Sequence, residues 1–156
     1  WELQWQPTSR LTTRLSLGLL DAHFDDYLSA TGINLSGRDQ PQAPDWQYTA
    51  GFTWRVARHI DVQFEMAGSD GYFFSDRHDV RAPETHQLNG SLSGTWQRWR
   101  WMLWGRNLTD DTTFVRGFGT FGNDPRKEYA TEPYRQFGEP RIVGFTLTYQ
   151  LTESGR

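Results

Sequence analysis

From Trp46 to Met66 an apolar side chain stands at every second position, on both sides of a short break. The even positions read Trp46, Tyr48, Ala50, Phe52, Trp54 and Val56, then Ile60, Val62, Phe64 and Met66. The odd positions read Gln47, Thr49, Gly51, Thr53 and Arg55, then Asp61, Gln63 and Glu65. A period of two gives a strand one apolar and one polar face. With Ala57-Arg58-His59 as the turn, Val56 opposes Ile60, Trp54 opposes Val62 and Phe52 opposes Phe64, so the pattern itself fixes the register. A second hairpin around Gln97-Arg98 opposes Trp96 to Trp99, Gly94 to Trp101, Leu92 to Leu103 and Gly90 to Gly105. An aromatic ring laid over a cross-strand glycine pins such a pairing. Alternating segments of about ten residues, with tight turns at one end and long loops at the other, are the signature of a transmembrane β-barrel.

The polar average of the chain is compatible with that reading. Mean hydropathy is −0.75 and apolar residues make up 36%, but a barrel strand needs an apolar side chain only at every second position. No run approaches the roughly 18 apolar residues of a spanning helix. There are eight tryptophans, many near expected strand ends, where an apolar body with a polar tip suits the headgroup level. The absence of cysteine excludes disulfides and thiolate metal sites. A net charge of −3 argues against nucleic acid as a partner. The chain starts at Trp1 without Met or a signal-peptide pattern, so the expectation is a processed product or a piece of a longer chain.

Along the chain, Trp1–Pro7 reads as the end of a strand with Trp1, Leu3 and Trp5 on one face, followed by a turn at Thr8-Ser9-Arg10. Leu11, Thr13, Leu15, Leu17 and Leu19 form the apolar face of the next strand. Long polar connections, rich in Gly, Pro, Asn and Asp, are expected over 21–45, 68–84 and 108–140, the last with room for short strand extensions. Thr85–Trp96, Trp99–Asn107 and Arg141–Leu151 complete the strands, and 152–156 reads as a tail. The crossings number about seven, whereas a bacterial single-chain barrel closes with an even number. The fold expectation is therefore all-β: an antiparallel up-and-down transmembrane β-barrel segment over 1–151, an incomplete part of a larger barrel.

Several motifs have a plainer explanation than the chemistry they suggest. Gly117-Phe118-Gly119-Thr120-Phe121-Gly122 matches G-x-G-x-x-G, but Asn123-Asp124-Pro125-Arg126 follows as a turn rather than a phosphate-binding helix. Ser75-Asp76-Arg77-His78-Asp79 and the later His86 fit no strong metal-ligand spacing. Asp25-Asp26 and Asp110-Asp111 read as solvated loop charges. Of the three Asn-x-Ser/Thr sequons, at Asn34, Asn89 and Asn107, Asn89 falls inside an expected strand. No nucleophile elbow is present, so no enzyme, cofactor or metal is expected.

Three stretches resemble the C-terminal part of TonB-dependent outer-membrane receptors. They are Asn34-Leu35-Ser36-Gly37-Arg38-Asp39-Gln40-Pro41-Gln42-Ala43-Pro44 before Trp46, then Arg106-Asn107-Leu108-Thr109-Asp110, then Phe137-Gly138-Glu139-Pro140-Arg141 leading to Gly144-Phe145-Thr146-Leu147-Thr148-Tyr149. Their order and spacing carry the likeness across nearly the whole chain. One departure is Leu151, where the family commonly ends on an aromatic. The resemblance implies an active importer in the outer membrane of a Gram-negative bacterium. Its partners would be membrane lipid, an upstream plug domain with the remaining strands, the TonB complex acting through parts outside this chain, and a small-molecule ligand. That ligand would be a siderophore, cobalamin or an oligosaccharide.

Candidate ligand contacts lie in the loops, where binding groups concentrate. They are His23, Phe24 and Tyr27, then Tyr72, Phe73 and Phe74, then Phe114, Phe118, Phe121 and Tyr129. Arg14, Arg55, Asp61, Gln63, Glu65, Arg100 and Arg106 fall on the inward, lumen face, where the resemblance places a plug. Two other classes fit the alternation: a stand-alone small outer-membrane barrel or porin-like protein, and a soluble carbohydrate-binding β-sandwich.

Overall fold

A computed structural model describes residues 1–29, 32–119, 124–130 and 132–151. Nine strands follow in order: β1 (Glu2–Thr8), β2 (Leu11–Leu19), β3 (Trp46–Ala57), β4 (Ile60–Ser69), β5 (Thr85–Trp96), β6 (Trp99–Arg106), β7 (Phe114–Gly119), β8 (Pro133–Phe137) and β9 (Ile142–Tyr149). Seven of them form one antiparallel meander, β1-β2-β3-β4-β5-β6-β9, while β7 and β8 pair only with each other. The large sheet is open, with β1 and β9 at its edges. This is an incomplete barrel wall, as the alternation implied. Among the described residues no second large sheet covers it, which separates it from a sandwich.

The registers put the apolar residues in continuous rows across the strands. One row runs Trp5, Thr13, Phe52, Phe64, Gly90, Gly105 and Val143, and the next Leu11, Trp54, Val62, Leu92, Leu103 and Phe145. Among the described residues nothing covers this face: Trp5 is 60% exposed and Phe145 63%. A bare apolar face of this breadth suits hydrocarbon rather than water. The other face is polar and concave. Thr12, Thr53, Gln63 and Ser91 share one of its rows, and Gln4, Arg14, Gly51, Glu65 and Asn89 another.

The turns are tighter than the sequence pattern implied. Ala57, not Val56, opposes Ile60, so Arg58-His59 is the turn and Val56 sits in an irregularity between Arg55 and Ala57. A similar break between Trp5 and Thr8 brackets Gln6 and Pro7, a place where a residue without an N–H interrupts no ladder bond. The extra residue in each case restores the alternation beside a two-residue turn. The second hairpin has the expected register throughout, from Trp96–Trp99 to Gly90–Gly105.

Several glycines on the wall are covered by rings. A Cβ at Gly94 would lie 2.5 Å from Trp101 Cζ2, one at Gly90 2.8 Å from Phe64 Cε1, and one at Gly144 2.3 Å from Trp104 Cζ2. At Gly18 the nearest atom would be 3.9 Å away. Gly94→Ala is therefore expected to destabilise the wall by about 1–3 kcal/mol through displacement of Trp101, and Gly18→Ala to leave it within about 0.5 kcal/mol. Urea unfolding in detergent of the full chain carrying these strands checks the pair. Equal midpoints for the two variants would remove the pinning role of the ring.

Candidate functional site

Two surfaces can meet a ligand: the polar trough and the loops above it. The trough, about 990 Å³, is lined by Glu2, Gln4, Arg14, Gln63, Glu65, Asn89, Trp104 and Arg106 among others. Period two aims these side chains inward, and each polar row crosses several strands. Arg55 pairs with Asp61 at 3.2 Å on the same face, and Arg100 joins it through its register with Thr95 and Thr148. Arg106 reaches Glu139 at 3.2 Å. Both ion pairs are solvent-exposed and add little stability. Arg14 and Glu65 flank Gly51 across the sheet and have no ion pair among the described residues. The trough thus offers free charge of both signs.

The long loops pack on one another at the opposite end from the short turns. The first, 20–45, folds back as a ribbon: Phe24 N–H donates to Arg38 O and Gly37 N–H to Phe24 O. Arg38 fastens this ribbon to the second loop, 70–84. Its guanidinium donates to the carbonyls of Ser75 (3.0 Å) and His78 (2.6 Å), pairs with Asp79 at 3.2 Å, and lies 4.1 Å over the Phe73 ring. Arg81 lies near the same ring at 4.5 Å and pairs with Asp39 at 3.7 Å. Tyr27 OH donates to Asp76 at 3.4 Å.

Phe74, 1% exposed, joins the second loop to the third. Its ring meets Tyr72 and Phe114 edge-on at 5.7 and 5.6 Å. Gly117 lies flat against it, since a Cβ there would be 1.9 Å from Phe74 Cδ1. Tyr72 OH donates to Phe114 O at 3.3 Å, and burial raises the Tyr72 phenol above its ordinary pKa.

The third loop, 107–141, is tied to the wall at Asn107, which is 2% exposed and has φ 48°. Its backbone N–H donates to Asn89 Oδ1; its Nδ2 donates to the carbonyls of Asp111 (2.9 Å) and Glu139 (3.0 Å); its Oδ1 accepts from Asp111 N and Thr109 Oγ1. Both ends of the loop thereby hang on one side chain. Asp111 Oδ2 also accepts from His86 N at 2.6 Å. His86 itself bonds Tyr48 OH (2.9 Å) and Glu84 (2.8 Å), apart from the 75–79 stretch that holds Arg38.

The loop candidates divide by exposure. His23 is exposed, as are Phe118 (39%) and Tyr129 (65%). Phe24 is half-buried and stacks on Tyr27 at 4.6 Å. Tyr72, Phe73, Phe74 and Phe114 are engaged within the cap, Phe74 completely, and Phe121 lies outside the described residues. Tyr134, 54% exposed and 5.9 Å from the Phe118 ring, was not singled out by sequence, nor were Arg38 and Asn107 in these roles. The Asn-Leu-Thr-Asp stretch marked Asn107, but only the fold shows what its amide reaches.

Two expectations follow. Asn107→Ala removes four side-chain hydrogen bonds around a buried position and is expected to cost about 2–3 kcal/mol, with amide exchange at Asp111 and Leu108 accelerating before that of β5. Unchanged protection at both amides would contradict the junction. His23 is hydrogen-bonded to Asp21 at 2.8 Å, which together with the Asp21 charge raises its pKa. The protonated form is the favoured one, so this contact is complete below the ordinary histidine value and fades as pH rises through the raised one. A proton NMR titration should show the midpoint fall in Asp21→Asn; an unmoved midpoint would dismiss the contact.

No family model and no curated protein sequence matches the chain. Solved structures do. The siderophore receptor PiuA from Acinetobacter baumannii superposes with a TM-score of 0.69 at 14% identity, over 94% of this chain and 21% of that one. The ferric yersiniabactin uptake receptor FyuA from Yersinia pestis gives 0.72 at 14% identity, over 94% and 22%. The chain thus spans about a fifth of these receptors. These neighbours are transport receptors rather than enzymes. The chain has the fold of part of a TonB-dependent receptor β-barrel.

Proposed function

We propose that residues 1–151 are the C-terminal part of the barrel of an outer-membrane receptor that imports a scarce ligand, with 152–156 as a tail. The observation that carries this is the division of one open sheet into an exposed apolar face and a polar concave face, with all long loops at one end. That arrangement suits a wall with lipid outside, a plug inside and ligand above. Arg14, Arg55, Asp61, Gln63, Glu65, Arg100 and Arg106 would face the plug, with Arg14 and Glu65 the free charges available to it. Energy coupling through TonB would act through parts outside this chain, in the outer membrane of a Gram-negative bacterium.

Of the three ligand classes, the neighbours' names favour a ferric siderophore. Within the cap, His23, Phe118 and Tyr129 are the candidates with open surface, and Tyr134 extends the Phe118 ring. Phe73, Phe74, Tyr72 and Phe114 would act by holding these in place. Exposed aromatics give large contact area at small entropic cost.

The β7–β8 hairpin provides the test, because Phe114 and Phe137 are paired at its base. Replacing Val115–Gln136 by Asn-Gly closes it with a favoured two-residue turn and leaves Asn107 and Asp111 in place. In the intact receptor, heat-modifiable migration should be retained. Affinity across a panel of ferric siderophores should fall at least about tenfold, as expected when a cluster of anchor residues is lost. Growth on every siderophore at the wild-type level would refute the role of this loop.

A further inference from the structure

The short-turn end of the wall has a feature that transport leaves unused. Each of the three turns, Ser9-Arg10, Arg58-His59 and Gln97-Arg98, holds an arginine and no carboxylate. Arg10, Arg58 and Arg98 are exposed, and none has an ion pair among the described residues. The opposite end has the opposite sign: the first long loop holds five aspartates against Arg38 alone, and the second four carboxylates against Arg77 and Arg81.

The turns are held rigidly. In each, the carbonyl of the second turn residue accepts an N–H from the end of the neighbouring strand: Arg55 N to Arg10 O at 2.7 Å, Thr95 N to His59 O at 3.0 Å, and Gln150 N to Arg98 O at 2.9 Å. Successive turns are two strands apart, about 10 Å along the rim. Arg98 also stands just beyond an aromatic level. Trp96 and Trp99 flank the Gln97-Arg98 turn, Trp96 is 66% exposed, and Tyr149 packs on Trp99 with ring centroids 4.7 Å apart. Amphipathic rings settle at the headgroup boundary, so a guanidinium one or two residues further out is at the depth of the phosphates.

We propose that Arg10, Arg58 and Arg98 form a rim that binds the phosphates of anionic phospholipids in the leaflet facing the short turns. The inference rests on the membrane-barrel reading. Guanidinium and phosphate match bidentately, the aliphatic stem packs beside the aromatic belt, and a single-sign rim with no internal carboxylate leaves that charge for the lipid. The acidic loop end would keep such lipids to one side of the barrel.

The test uses the full chain carrying these strands, reconstituted in vesicles with brominated phosphatidylglycerol or brominated phosphatidylcholine as tryptophan quenchers. Wild type should prefer phosphatidylglycerol at low salt by at least about fivefold, the factor expected for one interfacial arginine, and the preference should shrink as salt is added. Arg10→Gln/Arg58→Gln/Arg98→Gln should quench equally with both lipids, and the corresponding triple lysine variant should keep a reduced preference. Equal quenching in wild type, or a preference that survives in the glutamine variant, overturns the rim while leaving the barrel reading intact. No quenching by either lipid places the chain outside the bilayer and overturns both.

Discussion

A strand that faces hydrocarbon has no water to satisfy its backbone, so every N–H and C=O must bond along the sheet. Under the proposed placement in a membrane, the rest of this wall depends on that requirement. Once neighbouring strands are obliged to pair, a one-residue slip would turn a whole apolar face into the trough. The pairings from β1 to β9 are unbroken except near Pro7 and Val56, both beside short turns. There the extra residues adjust the turn without disturbing the rows above. Trp101 over Gly94 and Phe64 over Gly90 then fill the pleat where a side chain on both strands would not fit.

The wall has little core of its own, because one side faces outward and the other lines a trough. The closely packed apolar residues lie instead in the loops: Leu35, Phe74 and Ala82 are 6%, 1% and 4% exposed. The loop end is therefore a separately packed body, joined to the sheet through Asn107 and its contacts with Asn89, Asp111 and Glu139. An asparagine suits this junction because it tolerates a positive φ and its amide both donates and accepts.

The strands were legible because a sheet with one apolar and one polar face imposes a period of two, which local sequence records directly. The Trp96–Trp99 hairpin was readable residue by residue for that reason. Val56 misled because a bulge beside a turn keeps the alternation while changing the partner. The loops were not legible beyond their limits. Arg38 contacts Ser75, His78 and Asp79 about forty positions away, and nothing in its local neighbourhood encodes that. Likewise, aromatic character alone does not separate Phe74, sealed between Tyr72 and Phe114, from Tyr129, which stands in solvent.

The two ends of the wall are held by different forces, with consequences for how each can change. At the short-turn end the ties are backbone hydrogen bonds onto turn carbonyls, which are indifferent to side-chain identity, so the turn residues are free to vary in charge while the shape stays fixed. At the loop end backbone bonds such as Gln42 N–H to Phe73 O are joined by side-chain ties: the Arg38 guanidinium, the Phe74 ring and the Asn107 amide. Each of these is a single point on which several segments depend, and losing one releases loops without unpairing a strand. A scaffold of this kind keeps its wall constant while its loop surface is remodelled, and the loop surface is accordingly the part of the molecule least constrained by the fold.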